Sequence, residues 1–292
     1  MSEPDFIAAL RALARHPAAR GLADDCAVLE LGGEALVLTH DMMVEGVHWL
    51  PGQDPADIAW KLVAVNLSDL AAKGAEPVGV LLGYTLGDGD ARFIEGLGQA
   101  LSAFSVPLLG GDTVSGPLKS HGLTALGRAT HRPVPSRSGA RAGDGLWLSG
   151  PVGAAMIGFE ALRDGTGEDS ATFRRPIPLL DEGRALAPVV TAMMDVSDGL
   201  LLDASRMADA SGVTFAVDSA AVPLGAGVPE ERRGDALRWG DDYQLLFTLA
   251  RGDKPPIGAH CIGRAVKRTG FPVMVDGMPP AGDLGYVHGV RG

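Results

Sequence analysis

The chain has 292 residues, 46% of them hydrophobic, with 41 glycines and 20 prolines, a composition that describes a turn-rich globular protein of two ordinary domains. A formal net charge of −11 argues against a nucleic-acid-binding surface, which needs clustered Lys and Arg. Cys26 and Cys261 stand far apart without zinc spacing, and no run approaches the ~18 apolar residues of a membrane helix, so a reducing cytoplasm and no membrane partner are expected.

The N-terminal residues 3–15 read as an amphipathic helix. Two strand-like runs follow, "CAVLEL" (26–31) and "EALVLTHD" (34–41), joined by Gly32–Gly33 as a hairpin signal. Then come a helix at 55–73, a strand at 78–86, a helix near 90–104, a short strand ending at Leu109 and a strand at 122–129. The segment "THRPVPSRSGARAG" (130–143) shifts to Pro, Gly, Ser and Arg, as domain joints do. The pattern then restarts with a strand at 145–150, a helix from Gly153, a strand at 192–196, a helix at 199–210, and strands at 213–218, 243–249 and near 261–265 and 271–275. Mixed elements on this spacing predict an α/β (α+β) fold in two domains, 1–132 and 133–292, the second with a mixed sheet flanked by helices.

The stretch "KLVAVNLSDLAAKGAEP" (61–77) poses a problem of charge. Ile58, Leu62, Val65 and Ala72 recur at helical spacing, and Trp60, Val63, Leu67 and Leu70 make the other faces apolar too, so this helix is expected to be buried. It nevertheless carries Asp69, with Asn66 one turn before it. A buried carboxylate is costly unless paired or bound to metal. Two readings stand: Asp69 holds a cation, or it caps the helix or pairs with Lys73.

Other carboxylates fall where strands give way to loops. They are Asp24–Asp25, Asp41 in "THDMMVEGVHW", Asp112 in "LLGGDT", Asp195 and Asp198 around Ser197 in "MDVSDG", and Asp241–Asp242 in "RWGDD". Any one has an ordinary explanation: Asp198 could cap helix 199–210, and Asp112 could be a turn residue. With Asp69 these make six stations, which together point to oxygen ligation of a hard cation such as Mg²⁺, which bridges carboxylates to phosphates. No P-loop, dinucleotide fingerprint or protein-kinase motif set is present. Among glycine-rich pieces "LSGPVGAA" (148–155) is the best phosphate candidate, though a plain strand–helix turn explains it equally well.

Taken in order, "ADDCAVL", "THDMMVEGVHW", "DIAWKLVAVNLSDLAAKGAEP", "LLGGDTVSGP", "SGARAGDGLWLSG", "MDVSDGLLLD" and "WGDDYQLLFT" resemble the consecutive signatures of the thiamine-monophosphate kinase family, in the superfamily of aminoimidazole ribonucleotide synthetase. The resemblance runs from about residue 20 to the end of the chain. It implies ATP-dependent phosphorylation of thiamine monophosphate to thiamine diphosphate, several Mg²⁺ ions, and a homodimer whose N-terminal domains join in a shared β-barrel. Carried over by position, the implied Mg²⁺ ligands are Asp25, Thr39, His40 through its backbone, Asp41, Asp69, Asp112, Asp195 and Asp198, with Asp69 and Asp198 at the catalytic centre. Gly111, Asp112, Arg141 and Ser197 are implied at the nucleotide, and His48, Asp241 and Tyr286 at the substrate. His40 stands where the family has a second Thr, Asp241 where it has Glu, and Ile94 where it has a Tyr near the nucleotide. Two other readings are separable by assay: a superfamily member acting on another small acceptor, and a catalytically silent Mg–nucleotide-binding regulator.

Overall fold

The computed structural model describes residues 3–288. In chain order the elements are α1 (Glu3–Arg11), β1 (Ala27–Leu31), β2 (Glu34–Val44), α2 (Pro55–Ala72), β3 (Ala75–Leu86), α3 (Asp90–Ala103), β4 (Leu108–Ser115) and β5 (Ser120–Ala129). They continue with β6 (Gly145–Leu148), α4 (Ala154–Asp164), α5 (Ala171–Arg174), α6 (Leu180–Leu186), β7 (Ala192–Asp195), α7 (Leu200–Ser211), β8 (Val213–Val217), α8 (Arg233–Ala236), β9 (Leu245–Leu249), β10 (His260–Lys267) and β11 (Val273–Val275). The strands form two mixed sheets. The first runs β1-β2-β5-β3-β4 and the second β11-β8-β10-β6-β9-β7. The first is an open sheet with β1 and β4 as its edges, and among the described residues no closed barrel forms.

Helix α2 is buried at every residue except Pro55 and Trp60, because it lies between the two halves of the molecule. It packs on β2, β3, β5 and α3 of the first half and on α5, α6 and β7 of the second. Leu62, Val63, Leu67 and Leu70 are fully covered, each contributing about 1.5–3 kcal/mol of apolar burial. The start is fixed by Asp54, whose carboxylate accepts the Ala56 N–H at 3.0 Å, with Pro55 in the first turn. Beside it β2 alternates: Val37, Thr39 and Met43 are buried toward the helix, while His40 and Met42 face outward.

Two carboxylates thought to end strands instead lie within them. Asp41 sits inside β2, paired across to Leu123 on β5. Asp112 sits inside β4 opposite Gly83. The Gly110–Gly111 pair reads as a turn, but a Cβ at Gly111 would lie 1.9 Å from the Leu82 carbonyl oxygen. Glycine there lets the two strands approach, and β4 runs straight through.

Candidate functional site

Asp69 projects from α2 into a nest of acids. One oxygen from each of Asp25, Asp69 and Asp195 lies within 4.8 Å of the others. Asp25 comes from the segment before β1, Asp69 from the helix and Asp195 from the end of β7, so both halves of the molecule contribute. Neutral donors orient two of the three. The Thr39 hydroxyl donates to Asp69 Oδ2, and the Ser68 hydroxyl donates to Asp195 Oδ2 at 2.6 Å. Asn66 turns its side-chain oxygen to the Asp41 N–H at 2.9 Å, tying the helix to β2 just beside the nest.

These carboxyls carry strong shifts. Burial, reinforced by the charges of Asp41, Asp195 and Asp25, pushes Asp69 well above the usual carboxylate range. Burial and the Asp25 charge push Asp195 up to about 8 despite the Ser68 hydrogen bond. Asp41 is raised to about 6 by burial, with His40 opposing and Asp198 adding. Like charges gathered without a counter-ion are what a hard cation relieves. The donor set fits Mg²⁺: it is all oxygen, from three carboxylates that separate segments bring to one point.

A cationic flank adjoins the nest. Lys73, fully buried just past α2, reaches Asp24 Oδ1 and Asp25 Oδ2, each at 2.5 Å. Arg20 joins Asp24 at 2.5 Å and Arg137 joins Asp25 at 2.5 Å. Burial alone would lower Lys73, but Asp25 and Asp24 reverse this and hold it above its ordinary value. The pairing of Asp69 with Lys73 is thus not what forms; Lys73 serves its neighbours.

The turn after β7 carries Ser197 and Asp198. Asp203, fully buried in the first turn of α7, accepts the N–H groups of Ser197 at 3.1 Å and Asp198 at 3.0 Å. Asp198 is not the cap of α7; its carboxylate pairs with Arg206 at 2.5 Å. Its carbonyl accepts the Tyr286 N–H at 2.9 Å, and the Ser197 carbonyl accepts that of Asp241 at 2.9 Å. These links draw the chain's last segment and the 240–243 loop to one place.

The result is a cleft of about 680 Å³ whose lining includes Asp41, His48, Ser197, Asp198, Asp241 and Tyr286. Six of the residues singled out from the sequence therefore share one cavity. Phe159, Phe173, Trp239 and Trp49 give it aromatic walls, and Glu3 and His288 join at its rim, the His288 N–H donating to Glu3 at 2.9 Å. Burial lowers the His48 pKa, with Asp241 opposing.

Others lie apart. Asp112 and Gly111 are exposed on β4, Ile94 is exposed on α3, and the exposed Arg141 is held through its backbone, its N–H donating to Asp144 at 2.9 Å and its carbonyl accepting the Asp144 N–H at 3.0 Å. His40 points away from the nest to Thr124 at 2.9 Å, which leaves its backbone as the part nearest the helix. The "LSGPVGAA" turn is filled from within: Asp242 accepts the Gly153 N–H at 2.8 Å, so an internal carboxylate occupies the start of α4. Reading the sequence counts Asp24 among the acidic stations and weighs Lys73 only as a partner for Asp69; it misses Arg137, Asp203 and Arg206. No local pattern marks these three, which lie on α7 and in the segment between the halves.

Comparison with known proteins places this architecture. Residues 23–129 match the family model for the N-terminal domain of AIR synthase related proteins, and residues 141–252 match that for the C-terminal domain. A thiamine-monophosphate kinase of Salmonella typhimurium is 35% identical over 301 residues, covering 92% of this chain and 91% of that protein. One from Caulobacter vibrioides is 40% identical over 271 residues, 85% of this chain and 77% of its own. The solved structure of AaThiL complexed with AMPPCP and TMP matches with a TM-score of 0.88 at 28% identity, over 98% of this chain and 97% of that one.

Proposed function

We propose that this chain, which belongs to the thiamine-monophosphate kinase family, transfers the γ-phosphoryl group of ATP to the phosphate of thiamine monophosphate, giving thiamine diphosphate and ADP. The observation that carries this reading is continuity: the aromatic cleft holding His48, Asp241 and Tyr286 also includes Asp41 and Asp198, and the Asp25–Asp69–Asp195 nest adjoins it through Asn66 and β2. One end suits a ring-bearing acceptor and the other suits phosphates with their cations. The AMPPCP and TMP held by AaThiL support the same pairing of ligands.

The acceptor is a phosphate oxygen, already anionic at neutral pH, so the chain need supply no general base. Its task is positioning and charge. Two unit charges 4 Å apart repel by about 4 kcal/mol at an effective dielectric near 20. Bound Mg²⁺ supplies the positive charge that offsets this repulsion. Asp25, Asp69 and Asp195 would hold it, with Asp41, Asp198, Asp112, Thr39 and the His40 backbone completing the ligand set. Thr39 and Ser68 aim the carboxylates, and Asp203 with Arg206 hold the Ser197–Asp198 turn in shape. Ser197, Arg141 and Gly111 face the nucleotide, and His48, Asp241 and Tyr286 face the acceptor.

The chain divides functionally at 132/133, within the stretch between the two matched family domains. It works in the cytoplasm as a homodimer, the two first-half sheets meeting to close a barrel. Support for that surface comes from β4, exposed at every residue, with Leu108, Leu109 and Val114 beside exposed Leu81 and Leu86 on β3. Incubation with ATP, Mg²⁺ and thiamine monophosphate, with thiamine diphosphate followed by chromatography, tests the activity. Product formation that requires Mg²⁺ is the expected result. ATP binding with no product from this acceptor would sink it in favour of a different one.

A further inference from the structure

Lys61 sits on the cleft side of α2 with only 1% of its surface exposed. Its ammonium has three neighbours from three separate segments. It donates to the His48 carbonyl at 3.1 Å and to Asp241 Oδ2 at 2.9 Å, and it lies 3.8 Å from the centroid of the Phe173 ring. The other Asp241 oxygen accepts from the Tyr243 hydroxyl at 2.8 Å. Asp241 needs such holding, because its backbone has φ +65°, in the left-handed region that residues with a Cβ seldom adopt. The seat of Phe173 is fixed by the same helix: Asp57 pairs with Arg174 and, at 2.5 Å, with Arg175, and the Trp60 indole donates to the Pro176 carbonyl at 3.0 Å.

Packing does not call for a cation here. Leu62, Val63 and Leu67 fill α2 without one, and a buried charge is costly unless fully partnered. We infer that Lys61 is a positioning residue for the acceptor, clamping the Asp241 carboxylate and the His48 loop in the geometry that meets the ring end of the ligand. This rests on the reading of the cleft as the seat of thiamine monophosphate. Lys61 and Tyr243 take one oxygen each, so the carboxylate presents its remaining lone pairs in one fixed direction.

Steady-state kinetics of the full chain with ATP, Mg²⁺ and thiamine monophosphate test it in the wild type, Lys61→Met, Tyr243→Phe, Asp241→Asn and the Lys61→Met/Asp241→Asn pair. Lys61→Met is expected to raise KM for thiamine monophosphate about tenfold or more while KM for ATP stays within about twofold. Tyr243→Phe moves the same constant by a smaller factor, and adding Asp241→Asn to Lys61→Met multiplies it less than it does in the wild type. A Lys61→Met protein that leaves KM for the acceptor unchanged, or raises both KM values alike, overturns the inference. Should that variant fail to fold, Tyr243→Phe, which removes one hydroxyl from the other side of the clamp, decides by the same split. A wild type that makes no thiamine diphosphate overturns the kinase reading, and this inference with it. A productive wild type with indifferent variants overturns this inference alone.

Discussion

Asp24 and Asp69 are both buried, both acidic and linked through the same nest, yet their carboxyls move in opposite directions. Burial pushes Asp24 up, but Lys73 and Arg20 more than reverse it, and its pKa falls well below the usual range. Asp69 has burial and three neighbouring acids, and its pKa rises. The difference is who supplies the positive charge. On one flank the chain brings its own cations in Lys73, Arg20 and Arg137; on the other it brings only hydroxyl groups and more carboxylates. Asp24, neutralised by the chain's own cations, is architecture, whereas Asp69, whose anion would meet only hydroxyls and other acids, is suited to a cation from outside.

The sharpest break in this contrast is Asp69→Asn. It should cut turnover by about a thousandfold or more, the several kcal/mol of a lost metal ligand, while the metal-free protein loses no melting temperature, because an amide replaces a carboxyl whose anion burial and its acidic neighbours already disfavour. Thermal unfolding with chelator beside the product assay checks both; an active variant ends the metal reading. Lys73→Met is the mirror case. It strips Asp24 and Asp25 of their shared partner and should cost about 3–5 kcal/mol of stability in denaturant titration, with or without Mg²⁺.

The pH dependence sharpens it further. Asp195, raised from 3.8 to about 8, holds its proton more tightly folded than unfolded. Its support for folding is therefore full in acid and is lost as pH rises from about 4 through 8, with a slope of up to ~1.4 kcal/mol per pH unit for one such group. Metal-free protein should lose stability over that window, and Mg²⁺ should flatten the loss; stability independent of pH without metal would contradict it. The smallest effect belongs to Ser68→Ala, which removes one hydrogen bond to Asp195 and should cost about 1 kcal/mol.

Much of this was legible beforehand because local patterns carry it. The periodicity of 55–73 and the buried charge at Asp69 identified α2 (Pro55–Ala72) as the spine of the site, and the turn motifs brought Ser197, Asp198 and Asp241 to one cleft. Lys73 was legible only as a partner for Asp69, one turn before it, because its actual partner Asp24 lies 49 residues away. Arg137 hid for the same reason in a segment that reads as a joint. Strand β4 was cut short because a glycine pair signals a turn locally, whereas here it serves the close approach of a neighbouring strand.

Lys61 and Asp69 stand on one unbroken helix, eight positions apart, so a rise of about 12 Å separates them along the axis. No hinge or loop intervenes between the residue proposed to steady the ring end and the residue proposed to gather the phosphate end. The helix is thus a ruler, and a candidate acceptor is measured by its length between ring and phosphate as much as by its functional groups. Inserting one residue between the two marks would shift the scale by 1.5 Å and turn it by about 100°, so the gauge resists adjustment by small steps.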